Sequence, residues 1–232
     1  MEYRVIIPAA GQGKRMQAGK NKQFIQLEDK PVIVHTLSTF QNDPNCKQIV
    51  LVINKKEKNE FQALIETYHL TKVVRLVSGG TERQHSVFAG LKALPQENAD
   101  ALVLVHDGAR PFVTIDMISR VAKKAAATGA AVLAVPIKDT LKRSDGSVII
   151  ETVDRSELWA VQTPQAFHYS LLFEANVHAE QKQIEATDDA SLVEAFGRDV
   201  SIVMSDETNI KLTTPEDLIF ANVILKWRKG TL

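Results

Sequence analysis

The sequence predicts an α/β fold: a Rossmann-like three-layer α/β/α domain with a mainly parallel sheet and a protruding β-arm. Apolar runs alternate with amphipathic stretches along most of the chain, a pattern typical of right-handed βαβ crossovers with helices on both faces of a sheet. Polar residues and glycines follow several of these runs, as expected of loops at strand ends. Residues 136–167 break the alternation with a long, polar, turn-rich segment, which predicts a β-hairpin that leaves the main sheet.

Length and composition define the class of protein. With 232 residues, 44% of them hydrophobic, the chain can bury a full core, and one domain over residues 1–232 is expected. It carries 28 residues of each charge sign, so as a whole it lacks the basic surface of a nucleic-acid binder. The single cysteine, Cys46, excludes an intrachain disulfide and suits a reducing compartment. No apolar run reaches the roughly 18 residues of a membrane span, and we expect a cytoplasmic protein without a membrane partner.

The alternation assigns the individual elements. Strands are predicted at the apolar runs Val5–Ile7, Ile49–Ile53, Val73–Val77, Leu102–Val105, Ala130–Val135 and Val200–Met204. Helices are predicted at the amphipathic stretches Val32–Phe40, Glu57–Tyr68, Glu82–Leu94, Ile115–Thr128, Leu171–Glu180, Ala190–Phe196 and Pro215–Trp227. In sheets of this kind ligands bind outside the carboxyl ends of the strands. The residues that follow each strand are therefore the first candidates for a site.

The loop after the first strand has the composition of a phosphate-binding loop. Gly11 and Gly13 allow positive φ and close backbone approach, so that consecutive N–H groups can bind an anion. Arg15 and Lys22 would add full positive charges. The loop matches neither G-x-x-x-x-G-K-[ST] nor G-x-G-x-x-G, because Met16 occupies the last glycine position of the second pattern. By itself it is equally consistent with an ordinary strand-to-helix turn carrying surface cations.

Two further strand ends carry polar residues. The third strand is followed by Ser78–Ser86, which contains two adjacent glycines and opens a helix. The fourth is followed by His106–Pro111, in which Asp107 comes directly after the strand. Asp107 could cap a helix or pair with Arg110. It could also bind Mg²⁺, which takes one or two carboxylates together with substrate phosphates and water.

The predicted hairpin and the late motifs complete the pattern. Short β-like pieces at Val148–Ile150 and Leu158–Val161 predict the two strands of the arm. An arm of this kind exposes sheet edge and apolar area, which proteins usually cover with a partner, so we expect a homodimer in which the arms embrace. Thr187–Ser191 and Thr214–Asp217 have the sequence of helix caps. Lys211, between two apolar residues, has no structural role that the sequence reveals.

Together these motifs resemble the 2-C-methyl-D-erythritol 4-phosphate cytidylyltransferase family of the non-mevalonate isoprenoid pathway. The resemblance runs in order from residue 5 to about residue 219. It is carried by Pro8-Ala9-Ala10-Gly11-x-Gly13-x-Arg15-Met16 with Lys22-Gln23, Gly79-Gly80-x-Glu82-Arg83-x-x-Ser86, His106-Asp107-x-Ala109-Arg110-Pro111, Asp139-Thr140-x-Lys142-Arg143, Asp154-Arg155, Thr163-Pro164-Gln165, Thr187-Asp188-x-Ala190-Ser191 and Asn209-Ile210-Lys211. It implies a Mg²⁺-dependent, homodimeric nucleotidyltransferase that joins CTP and methylerythritol phosphate and releases pyrophosphate.

The resemblance also implies residue roles. Residues expected to act on the reacting phosphates are Arg15, Lys22 and Lys211. Residues expected to contact the nucleotide are Ala9, Ala10, Gly11, Gly13, Gly80, Arg83, Ser86 and Asp107, with Asp107 also the metal ligand. Residues expected to contact the acceptor are Arg110, Thr140, Arg155, Thr163, Thr187 and Asp188, with Thr140 and Arg155 supplied by the arm of the other subunit.

Two other functions remain open from the sequence. Ribitol-5-phosphate cytidylyltransferases share the CTP apparatus, but they tend to begin with Leu-Ala-Gly-Gly where this chain has Pro8–Gly11. A catalytically silent nucleotide-binding protein could have the same fold, although it would be expected to lose a charged site residue. Thr81 and Gly108 depart from the family pattern, where Asp and Ala are frequent, and these departures concern the details of base recognition rather than the reaction.

Overall fold

The computed structural model describes residues 1–11, 21–94 and 101–231. Its strands are β1 (Tyr3–Pro8), β2 (Gln26–Leu27), β3 (Lys30–Pro31), β4 (Cys46–Ile53), β5 (Val73–Ser78), β6 (Leu102–Val105), β7 (Ala130–Pro136), β8 (Leu141–Ser144), β9 (Ile149–Val153), β10 (Trp159–His168) and β11 (Ser201–Met204). Its α-helices are α1 (Val32–Asn42), α2 (Lys58–Thr67), α3 (Arg83–Lys92), α4 (Ile115–Thr128), α5 (Tyr169–Lys182), α6 (Asp189–Ala195) and α7 (Pro215–Arg228). Among these helices none is long and apolar enough to cross a membrane.

A seven-stranded sheet forms the centre of the domain, in the order β11-β7-β10-β6-β1-β4-β5. Strand β10 runs antiparallel to both of its neighbours, and the other pairs are parallel. The mainly parallel sheet predicted from the sequence is therefore confirmed. Strand β1 lies between β4 and β6, so the strand order reverses at β1, which is the place where a ligand crevice is expected.

The sheet is covered on both faces. In β1, Val5 and Ile7 belong to one apolar cluster and Ile6 to the other, and all three are fully buried. Alternate side chains of a strand point to opposite faces, so a continuous apolar run is what a sheet buried on both sides requires. One cluster includes residues of α1, α2 and α4, and the other includes residues of α3, α5 and α6. These layers confirm the predicted three-layer arrangement.

The hairpin differs from the prediction in its second strand. Strands β8 and β9 form a separate antiparallel ribbon, in which Leu141 lies opposite Val153. The segment Leu158–Val161 was expected in this hairpin, but Trp159 is the first residue of β10, which pairs with β7 in the main sheet. That expectation is wrong because β10 continues into Ala166 and Phe167, whose burial in the main core determines where the whole strand lies.

Candidate functional site

A cleft opens at the carboxyl ends of β1, β5 and β6. It brings together eight of the residues that the sequence selected, from segments far apart in the chain: Ala10, Gly11, Lys22, Gly80, Arg83, Ser86, Asp107 and Lys211. Ala9 lies beside it, buried, with its N–H donating to the carbonyl of Val52 (2.7 Å). Gly11 does not adopt a left-handed conformation, and among the described residues no atom lies within 4 Å of where its Cβ atom would be.

The other selected residues include some that are not described and some that lie away from the cleft. Gly13 and Arg15 fall outside the described residues. Within the described ranges, Thr140 and Arg155 do not line the cleft; both are exposed near the ends of the hairpin. The Arg155 guanidinium donates to the carbonyl of Lys138. Thr187 is exposed and lines a neighbouring cavity, which shares Arg83 with the cleft.

The charges of the cleft converge on Asp107. Its Oδ2 lies 2.7 Å from Lys211 Nζ and 4.0 Å from Arg110 Nε, and its Oδ1 lies 3.3 Å from Arg83 Nε. Burial raises the pKa of Asp107, but the charges of Arg83 and Lys211 outweigh it and hold that pKa well below its usual range. The carboxylate is therefore ionised, and three cations from different parts of the chain share it. The pairing with Arg110, one of the alternatives that the sequence offered for Asp107, is among these contacts.

Backbone hydrogen bonds place Lys211 at this point. Arg110 Nη1 donates to the carbonyl of Asn209 (2.7 Å). The N–H of Leu212 donates to the carbonyl of Ala109 (2.8 Å), and Lys22 Nζ donates to the carbonyl of Leu212 (3.1 Å). The segment that carries Lys211 is thus fastened to the loop after β6, which answers the question that the sequence left open for Lys211.

The loop after β5 meets the end of β1 through a glycine. A Cβ atom on Gly79 would lie 2.7 Å from Ala10 Cβ and 2.8 Å from Ser86 Oγ, so the two loops can approach only because position 79 has no side chain. The Ser86 hydroxyl accepts from the N–H of Gly80 (3.1 Å) and donates to the carbonyl of Glu82 (3.1 Å). Ser86 therefore shapes this loop, and its expected contact with a base stays a prediction.

Strand β10 supports the cleft from below with buried polar side chains. The Thr163 hydroxyl accepts from the N–H of Asp107 (3.0 Å). Gln162 Oε1 accepts from Asn209 Nδ2 (2.9 Å), and Gln165 Nε2 donates to Asp188 Oδ2 (2.6 Å). Three loops are thus held from one strand. Gln162 and Gln165 were missed as functional residues, although Gln165 lies in a motif that the sequence brought forward.

Asp189 is a further residue beside the site that the sequence did not single out. Its side chain is fully buried, and its Oδ2 lies 2.8 Å from Arg83 Nη1. Burial raises the pKa of Asp189, while the charge of Arg83 opposes that effect. Next to it, Asp188 caps α6 through a capping box with Ser191, and Thr214 caps α7 with Asp217. Both predicted caps are confirmed, and the expected acceptor contact of Asp188 stays a prediction.

The His106 ring is buried beneath Asp107 and is neutral. Its Nε2 lies 3.1 Å from the carbonyl of Arg110, which can only accept, so Nε2 carries the proton. Its Nδ1 then accepts from the Thr163 hydroxyl (3.1 Å). Burial lowers the pKa of His106 from 6.5 to about 4. Both ring nitrogens are engaged in holding the loop, which leaves no nitrogen for proton transfer to a ligand.

The described residues contain no group of three or more acidic, histidine or cysteine side chains that could by themselves hold a metal ion. Two carboxylates line the cleft: Asp107, which is buried and ionised, and Glu82, which is exposed. One carboxylate fits a metal whose remaining ligands are phosphate oxygens and water.

Comparison with known proteins gives one result throughout. A sequence model of the 2-C-methyl-D-erythritol 4-phosphate cytidylyltransferase (IspD) family matches residues 3–227. The cytidylyltransferase of that name from Bacillus velezensis is 57% identical over 231 residues, covering 99% of this chain and 98% of the relative. The one from Halalkalibacterium halodurans is 56% identical over 225 residues, covering 97% of each.

Solved structures agree with these relatives. The 4-diphosphocytidyl-2C-methyl-D-erythritol synthase from Anaerococcus prevotii has a TM-score of 0.83 at 32% identity, covering 97% of this chain and 96% of that chain. The 2-C-methyl-D-erythritol 4-phosphate cytidylyltransferase from Thermus thermophilus has a TM-score of 0.80 at 35% identity, covering 97% of this chain and 100% of that chain. The likeness extends over nearly the whole of this chain.

The neutral, buried His106 predicts an acid-sensitive fold. The pKa of His106 is about 4 in the folded protein and 6.5 ordinarily, so the unfolded chain binds the proton first as the pH falls. The free energy of unfolding therefore decreases between pH 6.5 and pH 4. The loss should be on the order of 3 kcal/mol for 2 to 3 pKa units. Urea unfolding of the wild type from pH 7 to pH 4 should show this decline, and His106→Gln should flatten it. Equal slopes for the two proteins would contradict this assignment.

Proposed function

Because this chain belongs to the 2-C-methyl-D-erythritol 4-phosphate cytidylyltransferase family, we propose that its cleft binds CTP and the acceptor phosphate side by side for a direct displacement. The chain is a nucleotidyltransferase that joins CTP and 2-C-methyl-D-erythritol 4-phosphate to give 4-diphosphocytidyl-2-C-methyl-D-erythritol and pyrophosphate. The relatives favour this reaction over transfer to ribitol 5-phosphate and over a silent nucleotide-binding role. The observation that carries the proposed placement is the convergence of Lys22, Arg83 and Lys211 on one cleft.

The proposed chemistry needs no general base. A phosphate monoester has a second pKa of about 6, so the acceptor is largely a dianion at neutral pH. One of its oxygens attacks the α-phosphorus of CTP, a new P–O bond forms, and the bond to the bridging oxygen of the β-phosphate breaks in line with it. The electron pair leaves with pyrophosphate. The engagement of both nitrogens of His106 supports a step without a histidine base.

The main barrier is repulsion between two polyanions. Two like unit charges about 4 Å apart cost on the order of 4 kcal/mol at an effective dielectric near 20, which corresponds to about three decades of rate. Fixed cations lower this cost and stabilise charge that develops on the α-phosphate and the leaving group. We assign this role to Lys22, to Lys211 and to Arg15. Arg15 lies outside the described residues and is assigned from the family resemblance.

We further propose that Asp107 is the protein's ligand to a divalent cation, with Mg²⁺ expected. When bound there with the triphosphate, the cation would neutralise phosphate charge and assist the departure of pyrophosphate. The ionised carboxylate supports this assignment. In the structure Lys211 Nζ forms an ion pair with Asp107 Oδ2 at 2.7 Å. The Lys211 ammonium group therefore already lies next to the proposed metal and phosphate position. We propose that it exchanges the carboxylate for a phosphate oxygen when substrates bind.

The acceptor site is proposed to be shared between two subunits. Val148, Ile149 and Ile150 on the hairpin are more than 60% exposed, and adjacent exposed apolar side chains of this kind are often covered by a partner. Thr140 and Arg155 are exposed as well and stand apart from the cleft of their own chain. A homodimer in which each hairpin delivers these two residues to the partner accounts for both features.

A cytoplasmic location also stays a prediction.

Turnover with defined substrates tests the reaction. With CTP, Mg²⁺ and 2-C-methyl-D-erythritol 4-phosphate, the protein should release pyrophosphate, and chelation of the metal by EDTA should abolish the release. Ribitol 5-phosphate in place of the acceptor should give much slower release. Faster turnover of ribitol 5-phosphate, or CTP binding without any pyrophosphate, would overturn the assigned reaction.

Lys22→Ala should lower kcat at least about a hundredfold, the scale typical of losing one preorganised charge-stabilising group. The fold should be unchanged, as measured by circular dichroism and melting temperature. Lys47→Ala is a suitable control, because Lys47 pairs with Glu2 in a solvent-exposed ion pair. Near-normal turnover of Lys22→Ala would remove Lys22 from the mechanism.

Arg155→Ala should raise KM for the acceptor about tenfold or more, since a hydrogen bond to a charged group contributes about 1.5–3 kcal/mol. KM for CTP should stay within about twofold of the wild type, because the residue is assigned to the acceptor. Arg120→Ala, which removes an exposed guanidinium paired with Asp116, provides the control. A selective loss of CTP affinity would show that the arm is wrongly assigned.

A further inference from the structure

The loop between α5 and α6 carries Thr187 and Asp188, the two acceptor contacts expected from this part of the chain. A glutamine of α3 holds this loop from the nucleotide side. Gln84 Nε2 donates to the carbonyl of Ile184 (3.2 Å), and Gln84 Oε1 accepts from the N–H of Ala186 (3.2 Å). An amide side chain can donate and accept at once, so one residue satisfies two backbone groups and fixes the stretch that leads into Thr187.

A second glutamine holds the same loop from the sheet. Gln165 on β10 is buried, donates to Asp188 Oδ2 and accepts from the N–H of Ala190 (3.0 Å). The loop is therefore fastened on both sides of Thr187. Thr187 itself remains exposed, as a residue that contacts a ligand must be.

Gln84 differs from Gln165 in what it connects. It follows Arg83, whose guanidinium contacts both Asp107 and Asp189, and both residues lie in the first turn of α3. The same turn therefore carries a charged contact to the nucleotide cleft and an amide contact to the acceptor loop. A shift of this turn would move both sites together, since bonded neighbours in a helix move as a unit.

We propose that Gln84 is a positioning residue for the acceptor, which sets the place of Thr187 relative to the nucleotide held by the first turn of α3. This inference rests on the proposed function and on the expected contact of Thr187 with the acceptor. Gln84 lines the same neighbouring cavity as Thr187, but both ends of its amide are bound to the loop backbone, so we assign it no substrate contact. It acts through the backbone of Ile184 and Ala186, and its effect is on acceptor geometry rather than on CTP affinity. Small displacements of a reacting group are known to lower rates strongly.

Gln84→Met tests the proposal, because methionine has a similar length and volume but no hydrogen-bonding amide. KM for the acceptor should rise about fivefold or more, in keeping with the loss of two neutral hydrogen bonds. KM for CTP should change less than about twofold, because Arg83 and the cleft are untouched. Hydrogen exchange followed by mass spectrometry should show faster exchange in the peptide that contains Ala186.

Gln41→Met is the matched control. Gln41 Oε1 accepts from the N–H of Lys72 (2.9 Å), and its Nε2 donates to the Thr71 hydroxyl (3.0 Å), so it fastens a loop in the same way. That loop precedes β5, at the opposite end of the sheet from the cleft. The control should lower the melting temperature by a similar amount and leave both KM values unchanged. A purely structural role for Gln84 predicts the same result for both variants.

The outcomes separate the two proposals. An inactive wild type would end the proposed function. An active wild type with unchanged acceptor KM in Gln84→Met, or with equal rises in both KM values, would overturn the positioning role alone. If Gln84→Met does not fold, Gln84→Asn replaces it: one methylene shorter, its amide cannot reach both backbone groups, and the same selective rise in acceptor KM is expected.

Discussion

The ion pairing around Asp107 is the interaction on which the site depends. A buried carboxylate is costly unless cations offset the loss of hydration, and here three of them do so, from α3, from the loop after β6 and from the segment before α7. The reverse holds as well. Cations gathered in one cleft repel each other, and Asp107 and Asp189 keep them together when no polyanion is present. The carboxylates thereby hold several cations at one cleft in a chain with no net formal charge.

The position of Asp107 at the end of β6 explains why the opposite charges meet there. The N–H of His106 continues the hydrogen bonding of β6 to β1 by donating to the carbonyl of Ile6 (3.0 Å). Asp107 is therefore held as rigidly as the strand that precedes it. Its N–H is in turn bound by Thr163. A carboxylate placed in this way offers fixed oxygens to Arg83, Arg110 and Lys211, and in the proposed exchange of partners only the Lys211 side chain would move.

Strand β10 provides the second constraint. It is the antiparallel member of a parallel sheet, and its middle part carries buried amide and hydroxyl groups where its neighbours carry aliphatic side chains. Unpaired polar groups would be costly in this position. Gln162, Thr163 and Gln165 instead form hydrogen bonds to three different loops. The same bonds that satisfy these buried groups therefore also hold the loops of the cleft in place.

By itself the sequence determined the order and type of most elements, the importance of the strand ends and the family, because hydrophobic periodicity, glycines and caps are local signals. Asp107, Lys22 and Lys211 could be selected in this way, although the reason for Lys211 could not. Only the tertiary structure decided that Leu158–Val161 leads into the main sheet, that Gly79 must lack a side chain, and that Asp189 and Gln84 support the site. Each of these depends on which atoms of distant segments come into contact, and strand pairing, close packing and buried hydrogen bonds are properties of that contact rather than of the neighbouring sequence.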